Sequence, residues 1–189
     1  MESRERRREL VREVRHRLTH DGPPWTRDHA GDFDTVTVPE RDCDALRDLL
    51  IAEGVETVVE VGLAYGSSAL AIGEALVSVG AQRPLHVIID PFQATDWSNV
   101  GWQMLQSAGL DAIARLVLQP SSMALPQPVV PGALRRRHDR SGDRTHTPPG
   151  APPPRPFVRA GIRALPAVLM PARPGEVVVA SARAAPPPW

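Results

Sequence analysis

Two acidic residues 30 positions apart are the side chains best placed to do chemistry. Glu60 interrupts an apolar run and opens the segment Glu60-Val61-Gly62-Leu63-Ala64-Tyr65-Gly66-Ser67-Ser68. Burying a carboxylate is costly unless it is bonded, so a ligand amine or a set of loop N–H groups is implied beside it. Gly62 and Gly66 let the backbone turn tightly and approach a ligand closely. A helix beginning at Ser67 would then offer unpaired N–H groups at its first turn. Asp90 closes the second apolar run, His86-Val87-Ile88-Ile89-Asp90-Pro91. An acid at the tip of a second strand is the usual acceptor for two ribose hydroxyls.

The elements around these residues follow from period and punctuation. Thr57–Val61, Leu85–Ile89 and Arg115–Leu118 read as strands, the third weaker than the others. Residues 67–79 read as a helix with Ser67 as N-cap, and 98–108 as a helix capped by Ser98 and closed by Gly109. Strands alternating with helices mean βαβ units, and apolar runs without alternation mean a parallel sheet covered on both faces. The fold class is therefore α/β. Upstream, Leu10, Val14 and Leu18 line one side of an amphipathic helix over 3–18, with Glu and Arg intermixed on the solvated faces. Gly22-Pro23-Pro24 ends it. A further helix fits 40–53, with Leu46, Leu49 and Leu50 on one side and Gly54 as its stop.

Composition narrows the chemistry. The 189 residues are 42% apolar but only 4% aromatic, so the core must be aliphatic. All 22 basic residues are Arg. Without Lys there is no Walker-type phosphate loop, pyridoxal Schiff base or lysine general base. The single Cys43 excludes a disulfide framework and a thiolate zinc cluster, and no metal site is expected. Cys43 reads as an inert thiol and His86 as a packed histidine. No run of 18 apolar residues occurs and the first residues are charged, so a soluble cytoplasmic protein without a membrane partner is expected.

The zero net charge conceals a split. Residues 1–126 hold 12 Arg against 19 acids, and 127–189 hold 10 Arg against 3. Fourteen of the 21 prolines fall in the second part. Such density breaks helices and ladders, so three stretches are expected: 1–39 as an N-terminal helix and linker, 40–126 as a ligand-binding half-domain, and 127–189 as a low-complexity, unfolded tail. An Arg- and Pro-rich run without Lys is what GC-rich DNA gives when read out of frame, beginning here near Gln127. Within the tail only Glu176-Val177-Val178-Val179 resembles a strand. Three strands alone would leave a sheet edge and an apolar face uncovered.

Three nucleotide ligands compete for the glycine segment. A phosphate loop is excluded by the missing Lys. A dinucleotide fingerprint wants Gly-x-Gly-x-x-Gly, and Gly62 and Gly66 are separated by Leu63-Ala64-Tyr65. S-adenosylmethionine, with a cationic amino-acid end and a ribose, uses both acids. Residues 58–70 resemble motif I of class I S-adenosylmethionine-dependent methyltransferases. His86–Gln93, followed by Trp97 and Gly101, resembles the second-strand region of a bacterial small-molecule branch. The resemblance covers about residues 40–126. It implies a Rossmann-like sheet, here incomplete, with Glu60, Gly62, Tyr65, Gly66 and Ser67 lining the methionine end. It places Asp90 on the ribose and Phe92 near the adenine. Ser121-Ser122 would either meet the adenine edge or cap a helix, and Trp97 and Trp102 would either pack or shape an acceptor pocket. The implied activity is methyl transfer to a small molecule, on oxygen, with no catalytic base assigned. An NAD-dependent oxidoreductase-like domain and a basic-tailed nucleic-acid binder are the alternatives.

Overall fold

A computed structural model describes residues 3–24, 33–125, 167–173 and 176–181. Helix α1 (Arg4–Asp21) starts at Ser3, whose hydroxyl accepts the Arg6 N–H at 3.2 Å, and ends where Gly22 turns left-handed. A single turn, α2 (Phe33–Val36), precedes α3 (Glu40–Ala52). The alternating part follows as β1 (Thr57–Val61), α4 (Ser67–Val79), β2 (Leu85–Ile89), α5 (Val100–Ser107), β3 (Ala114–Val117) and a last short turn α6 (Ser121–Ala124). The left-handed N-cap of α4 is Gly66 rather than Ser67, and α5 is preceded by Ser98 and Asn99, both at positive φ.

Strands β4 (Ala167–Arg173) and β5 (Glu176–Ser181) complete a five-stranded sheet in the order β3-β2-β1-β5-β4. β1 pairs in parallel with β2 from Thr57 opposite Leu85 to Val61 opposite Ile89. On its other side it pairs in parallel with β5, Thr57 opposite Glu176 and Val61 opposite Ala180. β4 runs antiparallel at the edge, where a proline such as Pro171 is tolerated, and its register shifts between Pro171 and Arg173. These two strands correct the expectation of an unfolded tail over all of 127–189. The strand-like run at Glu176–Val179 lies in β5, paired with the free edge of β1, whereas β4 had no such signal in the sequence. The expected bare edge beside β1 is therefore occupied. The remainder of 127–189 lies outside the described residues.

α4 is buried from Ser68 to Val77, as expected of a helix that is apolar nearly all round. α1 and α3 pack on it. Leu46, Leu50, Val55, Val58, Ile72 and Leu76 form one aliphatic cluster. Val11, Val14 and Leu18 of α1 join Leu70, Ile88, Leu105 and Leu110 in a second. The N-terminal segment thus shares a core with the alternating part.

The charged side of α1 departs from its expected role as a solvated face. Arg8 does pair locally with Glu5 at 3.1 Å. Arg12 and Arg15, however, reach across to Glu74, which is fully buried in α4, at 2.8 and 2.5 Å. Arg15 also holds Asp44 of α3 at 2.8 Å, and Arg47 bonds the same carboxylate at 2.7 Å. A buried carboxylate must be paired, and only docking of α1 and α3 supplies the cations. The hydrogen bond to Glu74 raises the Arg12 guanidinium. Burial works to lower Arg15, but its bonds to Asp44 and Glu74 outweigh that and the net shift is upward.

Candidate functional site

The sheet changes its direction of growth at β1, with β2 and β3 added on one side and β5 and β4 on the other. In open α/β sheets the crevice at such a switch point, outside the carboxyl ends of the strands, is where ligands bind. The turn Gly62–Gly66 stands there. Gly62 and Gly66 have φ of 90° and 92°, and Ala64 is also left-handed at 44°. A Cβ on Gly66 would lie 3.2 Å from the Gly101 carbonyl oxygen, so position 66 is constrained by both conformation and space.

The two acids are where the strands were expected to put them, but both are turned inward. Glu60 is wholly buried; its Oε1 accepts the Ser68 hydroxyl at 2.6 Å and its Oε2 meets His86 Nε2 at 2.9 Å. The carboxylate therefore fastens the start of α4 to β2, and the partners expected from a ligand amine or loop N–H groups are supplied by side chains instead. His86, opposite Val58 and two residues before Glu60's register partner Ile88, is the packed histidine expected of it.

Asp90 is 3% exposed. Its Oδ2 accepts the N–H groups of Leu63 at 2.8 Å and Ala64 at 3.1 Å, and Gln93 Nε2 at 3.3 Å. Its Oδ1 accepts the Phe92 N–H at 2.9 Å. The carboxylate grips the glycine turn from beneath rather than facing outward as a ribose acceptor would.

The other expected residues divide. Tyr65 is buried between Phe33 and Trp97, with ring centroids 5.5 and 5.2 Å away and edge-on geometry in both contacts. Trp97 and Trp102 pack against the core, which favours packing over an acceptor pocket. Ser67 is partly exposed and lines a cavity of about 220 Å³ between α1, the 33–43 segment and α4. Cys43 lines the same cavity. Burial pushes its thiol up to about 12, which fits an inert residue. Phe92 is 46% exposed. Ser121 is the first residue of α6, whose N-cap is Pro120 with no side-chain cap bond, so neither Ser121 nor Ser122 caps the helix.

Gln93 is a participant that residue types alone did not mark. It is fully buried, donates to the Ala64 carbonyl at 3.0 Å, and has no partner for its Oε1 among the described residues. A polar residue three positions past a strand tip was its one signal. The segment Val36–Val38, expected as linker, lies over the turn and lines a small void with residues 63–68. Among the described residues no group of three His, Cys, Asp or Glu side chains is arranged to hold a metal.

Fold and site together define a Rossmann-like α/β unit with a glycine turn at its switch point. No family model matches the chain, and no curated protein does. Among solved structures it is similar to an O-methyltransferase from Bacillus cereus in complex with SAH, at 14% identity and a TM-score of 0.45, over 64% of this chain and 47% of that one. It is also similar to the O-methyltransferase TomG from Streptomyces achromogenes, involved in tomaymycin synthesis and solved with SAM, at 16% identity and a TM-score of 0.48, over 66% and 48%. The chain spans about half the length of these structures, and at such identities the likeness is one of fold.

Proposed function

We propose that this chain is the S-adenosylmethionine-binding part of a methyltransferase that acts on a small molecule, with transfer to oxygen. The observation that carries the reading is where the exposed apolar side chains fall. Phe92, Leu118, Met123 and Leu125 are the large exposed hydrophobics among the described residues, and all follow the carboxyl ends of β2 and β3. An exposed apolar group at the ligand end of a parallel sheet suits the flat face of an adenine, beside a turn that suits the amino-acid end.

The residues present fit that ligand, with one redistribution of roles. The first-turn amides of α4 and the Ser67 hydroxyl would receive the carboxylate of the methionine end. Phe92, Leu118 and Met123 would hold the adenine. Gly62 and Gly66 let the backbone approach, while Tyr65, Glu60 and Asp90 act from beneath by fixing the turn. When bound, the sulfonium supplies an already activated methyl group, so what remains for the protein is holding the acceptor in line and excluding water. The dinucleotide alternative fits less well. Ala64 stands where that fingerprint has its middle glycine, and its N–H and carbonyl are both engaged within the chain. The basic-tailed nucleic-acid alternative rests on residues 127–189, most of which lie outside the described residues. Among the described residues no helix is long and apolar enough to cross a membrane.

Titration of the full chain with S-adenosylhomocysteine and, separately, with NAD tests the assignment. Saturable heat with the former and none with the latter is expected. Binding of NAD alone overturns it.

A further inference from the structure

We infer that Gln93 is a positioning residue for the glycine turn, locking Ala64 in its left-handed conformation so that the turn keeps one shape with or without a ligand; the link to binding rests on the function proposed above. Ala64 is a non-glycine residue at φ 44°, a conformation that L side chains hold only when their surroundings enforce it. Both peptide groups around it are tied down. Its N–H donates to Asp90 Oδ2 at 3.1 Å, and its carbonyl accepts Gln93 Nε2 at 3.0 Å. The same Nε2 lies 3.3 Å from Asp90 Oδ2, so Gln93 also orients the carboxylate that holds Leu63 and Ala64. Because both Nε2 partners are acceptors, the amide can point only this way.

The cost of this arrangement is visible. Gln93 Oε1 is buried without a hydrogen-bond partner among the described residues, so the side chain is oriented by its two Nε2 bonds. Gln93 is itself rooted from the other side. Its backbone carbonyl accepts the Asn99 N–H at 2.7 Å, in the left-handed Ser98-Asn99 pair that leads into α5. There Gly101 closes on the turn: a Cβ at 101 would lie 2.4 Å from the Ala64 carbonyl oxygen and 2.8 Å from the Leu63 side chain. The turn is thus gripped by Asp90 beneath, by Gln93 at its carbonyl, and by the α5 backbone.

The test uses Gln93→Met, close to isosteric, which removes the donor and the orphan acceptor together and keeps the packing; Gly101→Ala serves as a second, steric probe of the same contact. Two readings are taken on the full chain: amide hydrogen exchange of Leu63 and Ala64 against the β1 amides Val58 and Val59, and the Kd for S-adenosylhomocysteine. Exchange at 63–64 should accelerate by about tenfold in either variant with β1 unchanged, and Kd should rise by about tenfold. Unchanged exchange at 63–64, or a uniform acceleration through β1, overturns the latch. Selective acceleration with an unchanged Kd overturns its part in binding. If the unsubstituted protein binds no S-adenosylhomocysteine, the proposed function fails while the exchange measurement still decides the latch.

Discussion

Replacing Asp90 separates a structural grip from a ligand contact. Asp90 accepts four hydrogen bonds, three of them from backbone N–H groups of residues 63, 64 and 92, at 3% exposure. In Asp90→Asn the amide oxygen can keep the Oδ2 partners, but the NH₂ then faces the Phe92 N–H. One bond is lost and the others lose their charge, which should cost about 2–3 kcal/mol. In Asp90→Ala three backbone donors lose their acceptor at once. At about 1–3 kcal/mol each, softened by water entering the space, the loss should reach about 3–5 kcal/mol, a large share of a domain's stability. Urea denaturation followed by tryptophan fluorescence measures both, and the order unsubstituted, Asn, Ala is the expected ranking. If Asp90→Ala unfolds within about 0.5 kcal/mol of the unsubstituted protein yet loses affinity for S-adenosylhomocysteine, the carboxylate meets the ligand directly and its structural role is refuted.

Glu74→Ala removes one of the two carboxylates that hold the buried Arg15 and the carboxylate that holds Arg12, and should destabilise by about 3–5 kcal/mol in the same denaturation assay. Cys43 has its pKa raised by burial from 9.0 to about 12, so its contribution is fully present below pH 9 and is lost as pH rises from there toward 12. The difference in unfolding free energy between the unsubstituted protein and Cys43→Ala should therefore shrink across that interval; a difference independent of pH contradicts the burial effect. Phe92→Ala removes a half-exposed ring, and should change stability by under about 0.5 kcal/mol while raising the Kd for S-adenosylhomocysteine by about tenfold. Equal affinity would remove Phe92 from the binding surface.

Much of the fold was legible because local signals agreed with one another. Thr57–Val61 and Leu85–Ile89 are short β-branched runs bounded by turn residues, and both strands have those limits. Glycines punctuated the helices correctly at 22, 54 and 109, where positive φ follows each helix. The site was legible as a place but not as a set of roles. Glu60 and Asp90 could be read as unusual because buried carboxylates need partners. Which partners they take depends on geometry across 26 or 27 residues of chain, as for Glu60 with His86 and Asp90 with Leu63.

What the sequence determined by itself is the alternation of elements, the glycine turn and the two acids at strand tips, since each rests on periodicity, conformational freedom or the cost of burying charge within a short window. What only the tertiary structure decided is how those groups are satisfied. Glu74 looks like any helix glutamate until α1 and α3 dock their arginines on it. Gln93 looks like a loop residue until α5 closes over the turn. The run at 176–181 sits in a proline-rich stretch until β1 offers it an edge. Pairing energies of this kind arise between segments far apart in the chain, so no local pattern carries them.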